Sequence, residues 1–368
     1  MTQQLVSYIA PGAPATRQPA SGDEPCLRPE IGFTPKWYRD ALSIDFSEHW
    51  HTDVEYRMES LSRMRAELDR RFPGAHIGRP RNHAGIDLIT GVQGACVIAG
   101  IYGCPIIYRE DQWPVAVAGP LSDSDVHELL PPDLDANPFF RSLMTQVDCI
   151  ADRLGTVAGY INWQGVLNNA HRLRGEELFT DLLTAPDLCH HLFGCVCTTM
   201  SDAARRLHAR QRETGFDVSF FTVSNCLVNL VSPDIYREYL LPYDRRIAEA
   251  FATIGVHNCA WTVDPYLADY ASLPDLAYID MGLESDFSLA RKLMPQARRA
   301  VMYRPTELAD KSLREIESDL NRICHELGPC DIVAADIESG TPDERVIALI
   351  ATCHKLSESV SGHLESLP

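Results

Sequence analysis

His257 and Cys259 are the two residues of this 368-residue sequence whose types and spacing best suit chemistry. In an extended segment residues i and i+2 point to the same side, so the imidazole and the thiol converge on one point. Sulfur with imidazole suits Zn²⁺. The plain alternative is a buried His and a buried Cys that merely stand two apart. Asp336 and Glu338 form a second such pair, the first polar residues after the apolar run 332–335. They too share a side, and either one serves as a third, oxygen ligand or as a general acid/base. Their plain reading is that of acids placed before a helix, whose N-terminus favours them.

Other suggestive residues carry less. The twelve cysteines lie in a chain too long for a disulfide-stapled secreted domain, so reduced thiols are expected, most of them small buried hydrophobes. His190, His191, Cys195 and Cys197 resemble a metal cluster in composition only. They fall in a helical pattern, where positions i and i+2 diverge by about 200°. Asp125-Val126-His127 lacks the glycine that would follow in a cobalamin-binding motif, so no corrinoid-carrying module is expected within the chain. No G-x-S-x-G, G-x-G-x-x-G or G-x-x-x-x-G-K-[ST] motif occurs, which removes support for nucleophile-elbow, dinucleotide and P-loop chemistry.

The elements that must position these residues alternate. Short β-rich runs occur at 157–163, 217–224, 255–261, 276–282, 299–305 and 331–337, with 75–80 as a candidate earlier strand. Helical patterns separate them. One begins at Ser232, which caps, and Pro233, which takes the first helical position. Another is expected from the capping box Thr52–Glu55 to about Phe72, and a hairpin is expected between CPIIYR and WPVAVAG. Strand–helix alternation implies a parallel sheet with right-handed crossovers. The fold class expected is α/β: a single (β/α)8 TIM barrel over residues 31–368, its eighth strand unassigned, behind an irregular Pro/Ala/Gly-rich arm over residues 1–30. A doubly wound sheet is the runner-up. The arm is expected to be mobile, with contact in a homodimer as its other reading.

A barrel carries its active site at the C-terminal ends of its strands. The polar residues there include Asn162, Asn225, His257, Cys259, Asp280, Arg304, Asp336 and Glu338. Composition narrows the partners. A formal charge of −18 opposes general nucleic-acid binding and docking on anionic lipid. The most apolar window, 86–108, is broken by Asp87, Gln93, Pro105 and several glycines, so no membrane span is expected; the N-terminus lacks a signal-peptide pattern, and a cytoplasmic protein acting on a small molecule is expected.

Three segments resemble the uroporphyrinogen decarboxylase superfamily. Asn229 to Tyr243 (NLVSPDIYREYLLPY) looks like its S-P-x-x-[FY]-x-x-[FY]-x-x-P-[FY] helix. Gly175 to Leu183, followed by Pro186, is similar to its segment before a long helix, and Gly340 to Val346 (GTPDERV) to its terminal G-T-P-E-x-V. The resemblance spans about residues 85–355 and implies a (β/α)8 barrel. The decarboxylases proper use no metal and carry an R-Q-A-G-R signature that is absent here. The other branch, the cobalamin-dependent methyltransferases, binds zinc through a His-x-Cys at a strand end and a later ligand, commonly cysteine. His257 and Cys259 match the first two. The family position of the third falls at Ala335, next to Asp336, so Asp336 or Glu338 is expected to complete the site.

The resemblance implies a zinc-dependent methyltransferase that moves a methyl group between a corrinoid on a separate protein and a small thiol. Asn162, Asn225, Asp280 and Arg304 would line its pocket, with Arg304 as a carboxylate or sulfonate clamp. The alternative is a lyase or decarboxylase on a small acid, with Asp280 or Glu338 as acid/base and Arg304 holding the carboxylate. A barrel that has lost its chemistry is the third reading.

Overall fold

The structure is a computed structural model and describes residues 24–75, 77, 86–117, 119 and 121–364. The candidate strand at 75–80 and the first 23 residues of the arm lie outside the described residues, apart from Ala75 and Ile77. Among the described residues there are eight strands: β1 (Leu27–Phe33), β2 (Ile106–Arg109), β3 (Gln112–Ala116), β4 (Phe220–Ser224), β5 (Thr253–His257), β6 (Leu276–Met281), β7 (Arg298–Met302) and β8 (Cys330–Ile337). Six of them form one parallel sheet in the order β1-β8-β7-β6-β5-β4. Neighbours follow chain order and the first strand lies against the last, as barrel closure requires; a doubly wound sheet would reverse direction at a switch point. The 157–163 segment lies beside β4 and is joined to the segment around 86–89 by one parallel bridge, Asp87 to Ala158. The expected strand at 157–163 is thus reduced to a bridge. Gly159, at φ 125°, brings its backbone so close to Asp87 that a Cβ would stand 2.3 Å from the carboxylate. Side chains replace the missing ladder: Tyr160 N–H donates to Thr90 Oγ1 at 3.0 Å, and Tyr160 Oη accepts from Thr222 N–H at 3.2 Å.

The unassigned stave is β1, which begins inside the segment read as an arm. Its Pro29 and Glu30 break the strand pattern in sequence, yet Leu27 to Ile31 run in register with Cys330 to Ala334. The same pairing corrects the expectation that every thiol is reduced. Cys26 and Cys324 form a disulfide, with Cα atoms 5.8 Å apart across a separation of 298 residues. Cys26 directly precedes β1, and Cys330 N–H donates to its carbonyl at 3.0 Å, so sheet register carries it to the helix Leu313–Glu326.

The β2–β3 hairpin forms where expected. The helix after Thr52 is Val54–Arg71, but its cap is Asp53, which accepts from Tyr56 N–H at 3.0 Å. Thr52 instead ends the preceding short helix, its hydroxyl on Glu48 O at 2.8 Å. Cys195 and Cys197 lie in the helix Pro186–Glu213 and diverge as helical geometry demands: one thiol reaches Leu129 O, the other Tyr243 O.

Alternate residues of each strand fill the barrel in layers. At the N-terminal end, Asp331 is fully buried between Arg28 and Arg298, whose Nε atoms lie 2.6 and 2.8 Å from its two oxygens. Above it, Tyr278, Ala300 and Val333 pack together. Two residues on from Gly255 and Tyr278, the inward positions become His257 and Asp280.

Candidate metal centre at the barrel mouth

β4 and β5 are adjacent, with Ser224 opposite His257, so the loops leaving their C-terminal ends start side by side. Asn225 N–H donates to His257 O at 2.7 Å and extends the pairing by one residue. The next residue on the β4 side is Cys226. The loop on the β5 side turns back at Cys259, which has φ 57°, a left-handed conformation unusual for a residue with a Cβ. This turn is held from below: Gly282 N–H donates to Trp261 O at 2.9 Å, and a Cβ on Gly282 would stand 2.3 Å from Ala260 O.

Cys226, His257 and Cys259 therefore converge, each ligand atom within 4.8 Å of the others. The two sulfurs are 2.8 Å apart and Cys259 Sγ is 3.2 Å from His257 Nε2. The hydrogen bond from Cys259 holds the Cys226 thiol well below its usual pKa, with the His257 cation helping and burial opposing. The same bond and burial push Cys259 up. Burial would lower His257, but Asp280 and the two thiols outweigh it and hold the imidazole well above its usual value.

Asp280 is fully buried behind the imidazole, its Oδ2 2.6 Å from His257 Nδ1. It also accepts from Asn258 N–H at 2.7 Å and from Tyr278 O–H at 2.8 Å. A carboxylate on Nδ1 keeps a proton there, so Nε2, which faces the sulfurs, is the nitrogen that would give up its proton to a metal, the outer-shell arrangement that orients a metal-ligating histidine. A buried web continues outward. Tyr270 O–H donates to Asn258 Oδ1 at 2.9 Å, and Asn225 Nδ2 and Tyr236 O–H both donate to Asp244, at 2.9 and 2.8 Å. Burial pushes the Asp244 carboxyl up to about 6. The π-helical turn Tyr236–Leu240, just before Pro242, aims Tyr236 at Asp244; proline cannot donate the bond that would keep the helix regular.

The residues expected at the site fall in different places. Asp280 and Asn225 are tied into the supports of the cluster. Asn162, half-buried at the mouth, accepts from Gln164 N–H and Nε2 at 3.0 Å each and from Ser224 Oγ at 3.3 Å. Asp336, at φ 55°, lies near the end of β8 and is exposed to solvent, with protein packed around its carboxyl on the other sides. Burial pushes its carboxyl up, while a hydrogen bond from Trp113 and the charge of His257 pull the other way. Glu338 is exposed outside the cluster, 3.4 Å from Thr34 Oγ1. Arg304 starts the helix Pro305–Asp310 with its guanidinium paired to Glu307 at 3.0 Å. The structure thus brings Cys226, and neither Asp336 nor Glu338, within 4.8 Å of the His257–Cys259 pair. β8 is three strands away from β5 in the sheet, whereas β4 is its neighbour. Cys226 stands two residues past a strand whose partner ends in His257. That adjacency was the available signal.

Two thiols and an imidazole fit Zn²⁺. Its bonds to sulfur and nitrogen run about 2.0–2.3 Å, which puts the ligands of one ion within about 4 Å of each other. Three protein ligands would leave the fourth position of such an ion open, as catalytic zinc sites do.

The family model described as uroporphyrinogen decarboxylase (URO-D) matches residues 78–356, more than half of the chain. The chain is a member of the uroporphyrinogen decarboxylase family. Among solved structures, it is similar to a methyltransferase from Methanosarcina mazei at 16% identity, over 90% of this chain and 94% of that one, with a TM-score of 0.64. A B12-independent methionine synthase from Shewanella sp. W3-18-1, in complex with selenomethionine, aligns at 13% identity over 73% of this chain and 77% of that one, with a TM-score of 0.39. No curated protein matches the chain. The first structural likeness supports the barrel fold of this family member. Among the described residues, no helix is long and apolar enough to cross a membrane.

Proposed function

We propose that the protein is a zinc-dependent methyltransferase that moves a methyl group between a corrinoid carried by a separate protein and a small thiol. The observation that carries this reading is the Cys226–His257–Cys259 cluster with Asp280 on His257 Nδ1. Zinc bound there would lower the pKa of a substrate thiol and present it as a thiolate. The chain's own residues do the rest. Asp280 holds the imidazole in one tautomer, Gly282 and Asn225 fix the two loops, and Asn162 faces the substrate space. The resemblance of this chain to the methyltransferase branch, and its similarity to the M. mazei methyltransferase, agree with the reading. The lyase alternative is weakened because its acid/base candidates are engaged elsewhere, Asp280 on His257 and Glu338 outside the cluster.

Elemental analysis of the purified, reduced protein tests it. About one zinc per chain is expected, lost in Cys226→Ser and Cys259→Ser, together with methyl transfer from methylcobalamin to a thiol in the wild type. A metal-free protein after supplementation with zinc would overturn the reading.

A further inference from the structure

Among the described residues Arg172 has no carboxylate partner, and its helix is joined to the loop that carries Cys226. It lies on the helix Val166–Arg174, which leaves the barrel mouth directly after the 157–163 segment. That helix is fastened to the Cys226 loop: Asn168 Oδ1 accepts from Leu227 N–H at 3.2 Å, and a Cβ on Gly165 would stand 2.5 Å from Ser224 O. The guanidinium is half-buried, and its hydrogen bonds are long, 3.4 Å from Nη1 to Gln164 Oε1 and 3.4 Å to Asn168 O. The groups whose charge acts on it are the thiols Cys96, Cys226 and Cys104. Cys96 and Cys104 are themselves pushed up by burial and stay neutral.

Other large cations in the fold are better matched. Arg28 and Arg298 share Asp331, and Arg174 takes Asp181 at 2.7 Å. Arg57 is buried too, but its three bonds to Leu88 O, Trp50 O and Gln146 Oε1 are 2.8–2.9 Å long. Removing a cation from water is costly unless an anion or a full set of acceptors replaces the solvent. No salt bridge satisfies Arg172 among the described residues, and its neighbours leave most of its five donors to something else.

We infer that Arg172, backed by Gln164 and Asn168, is the specificity residue that grips an anionic group, a carboxylate or its planar equivalent, at the far end of a substrate thiol. The inference rests on the metal-centre reading for the thiol end only. The guanidinium fork matches a carboxylate with two parallel hydrogen bonds, which a lysine ammonium cannot reproduce.

Calorimetric binding to the zinc-loaded protein tests this, using the mercaptocarboxylates from mercaptoacetate to 4-mercaptobutyrate against 2-mercaptoethanol. One member of the series is expected to bind at least about tenfold tighter than the neutral thiol, the usual worth of a charged hydrogen-bonded pair. Arg172→Gln should remove that preference and leave zinc content and 2-mercaptoethanol affinity within twofold of wild type; Arg172→Lys should keep part of it and guards against a folding defect. Equal affinities for acidic and neutral thiols, in a protein holding one zinc, would overturn the clamp and leave the metal reading intact. A zinc-free protein that prefers butyrate over 1-butanol, and loses this in Arg172→Gln, would support the clamp and overturn the metal reading.

Discussion

The two ends of this barrel treat polar side chains in opposite ways. At the N-terminal end, Arg28, Arg298 and Asp331 are buried together and balance one another within hydrogen-bonding distance. At the C-terminal end, two thiols and an imidazole crowd within 4.8 Å and the Arg172 guanidinium has only long bonds. The two sets stand on different strands of one sheet, β1, β7 and β8 for the first and the ends of β4 and β5 for the second. The difference separates charge that supports the fold from charge kept in readiness for something that arrives. It follows the general division of barrels into a stability face and a catalytic face.

The largest expected effect lies at the mouth. Cys259→Ser should abolish stoichiometric zinc binding while the zinc-free protein keeps its thermal midpoint within a few degrees, since the thiol is packed on its loop and not in the main core. Zinc titration with a competing chelator measures the first, and a melting curve the second. Retained tight binding in this variant would move the centre elsewhere. Oxidation gives the same result reversibly. With sulfurs 2.8 Å apart, mild oxidant is expected to join Cys226 and Cys259 and release the metal, and reductant to restore it.

Next in size is the opposite end. Asp331→Asn leaves the buried Arg28 and Arg298 with only their longer pairs to Glu30, at 4.0 and 3.8 Å, and should cost about 3 kcal/mol in denaturant unfolding. Zinc stoichiometry should be unchanged. Loss of zinc alongside stability would mean that the two ends are not independent.

Asp280→Asn is expected to be milder. It keeps the shape but replaces the carboxylate that faces His257 Nδ1, Asn258 N–H and Tyr278 O–H with a group that accepts at one end and donates at the other. Removing such outer-shell partners typically weakens metal binding about 10–100-fold. An unchanged zinc dissociation constant would reduce Asp280 to a packing role.

Much of this was legible in the sequence, in proportion to how local the cause was. Strand–helix alternation gave the barrel, Ser232-Pro233 the start of a helix, and His257-x-Cys259 two of the three residues that converge at the mouth, because each depends on neighbours in the chain. What was missed depends on register between distant strands. β1 hides behind Pro29 and Glu30, which face β8 and the interior arginines and not solvent. The Cys26–Cys324 disulfide follows from that pairing. The third residue of the cluster was sought on β8 by counting back from Thr341, which is a family spacing and not a contact. Cys226 follows from the simpler fact that β4 lies against β5. The expectation for Arg304 used the right residue type at the right end of a strand, but the helix that starts there supplies Glu307 three residues later and takes the charge.

The contrast between Arg304 and Arg172 yields the smallest predicted effect and the cleanest separation. Both arginines lie at the C-terminal side of the barrel, and both suit a clamp by residue type. Arg304 is 45% exposed and already paired with Glu307 on its own first turn. An exposed pair of this kind contributes about 0–1 kcal/mol, because solvent screens the charges and two long side chains lose freedom to hold one geometry. Arg304→Ala should therefore change unfolding free energy by less than about 1 kcal/mol and leave mercaptocarboxylate affinity within twofold of wild type. Arg172→Gln should do the reverse, with little effect on stability, since its present bonds are long, and a tenfold or larger loss of affinity for the acidic thiol. If Arg304→Ala instead lost the acidic thiol while Arg172→Gln kept it, position at the strand end would matter more than the state of pairing. The partnered arginine would then have to release Glu307 to bind substrate, and affinity in the Glu307→Gln variant would rise.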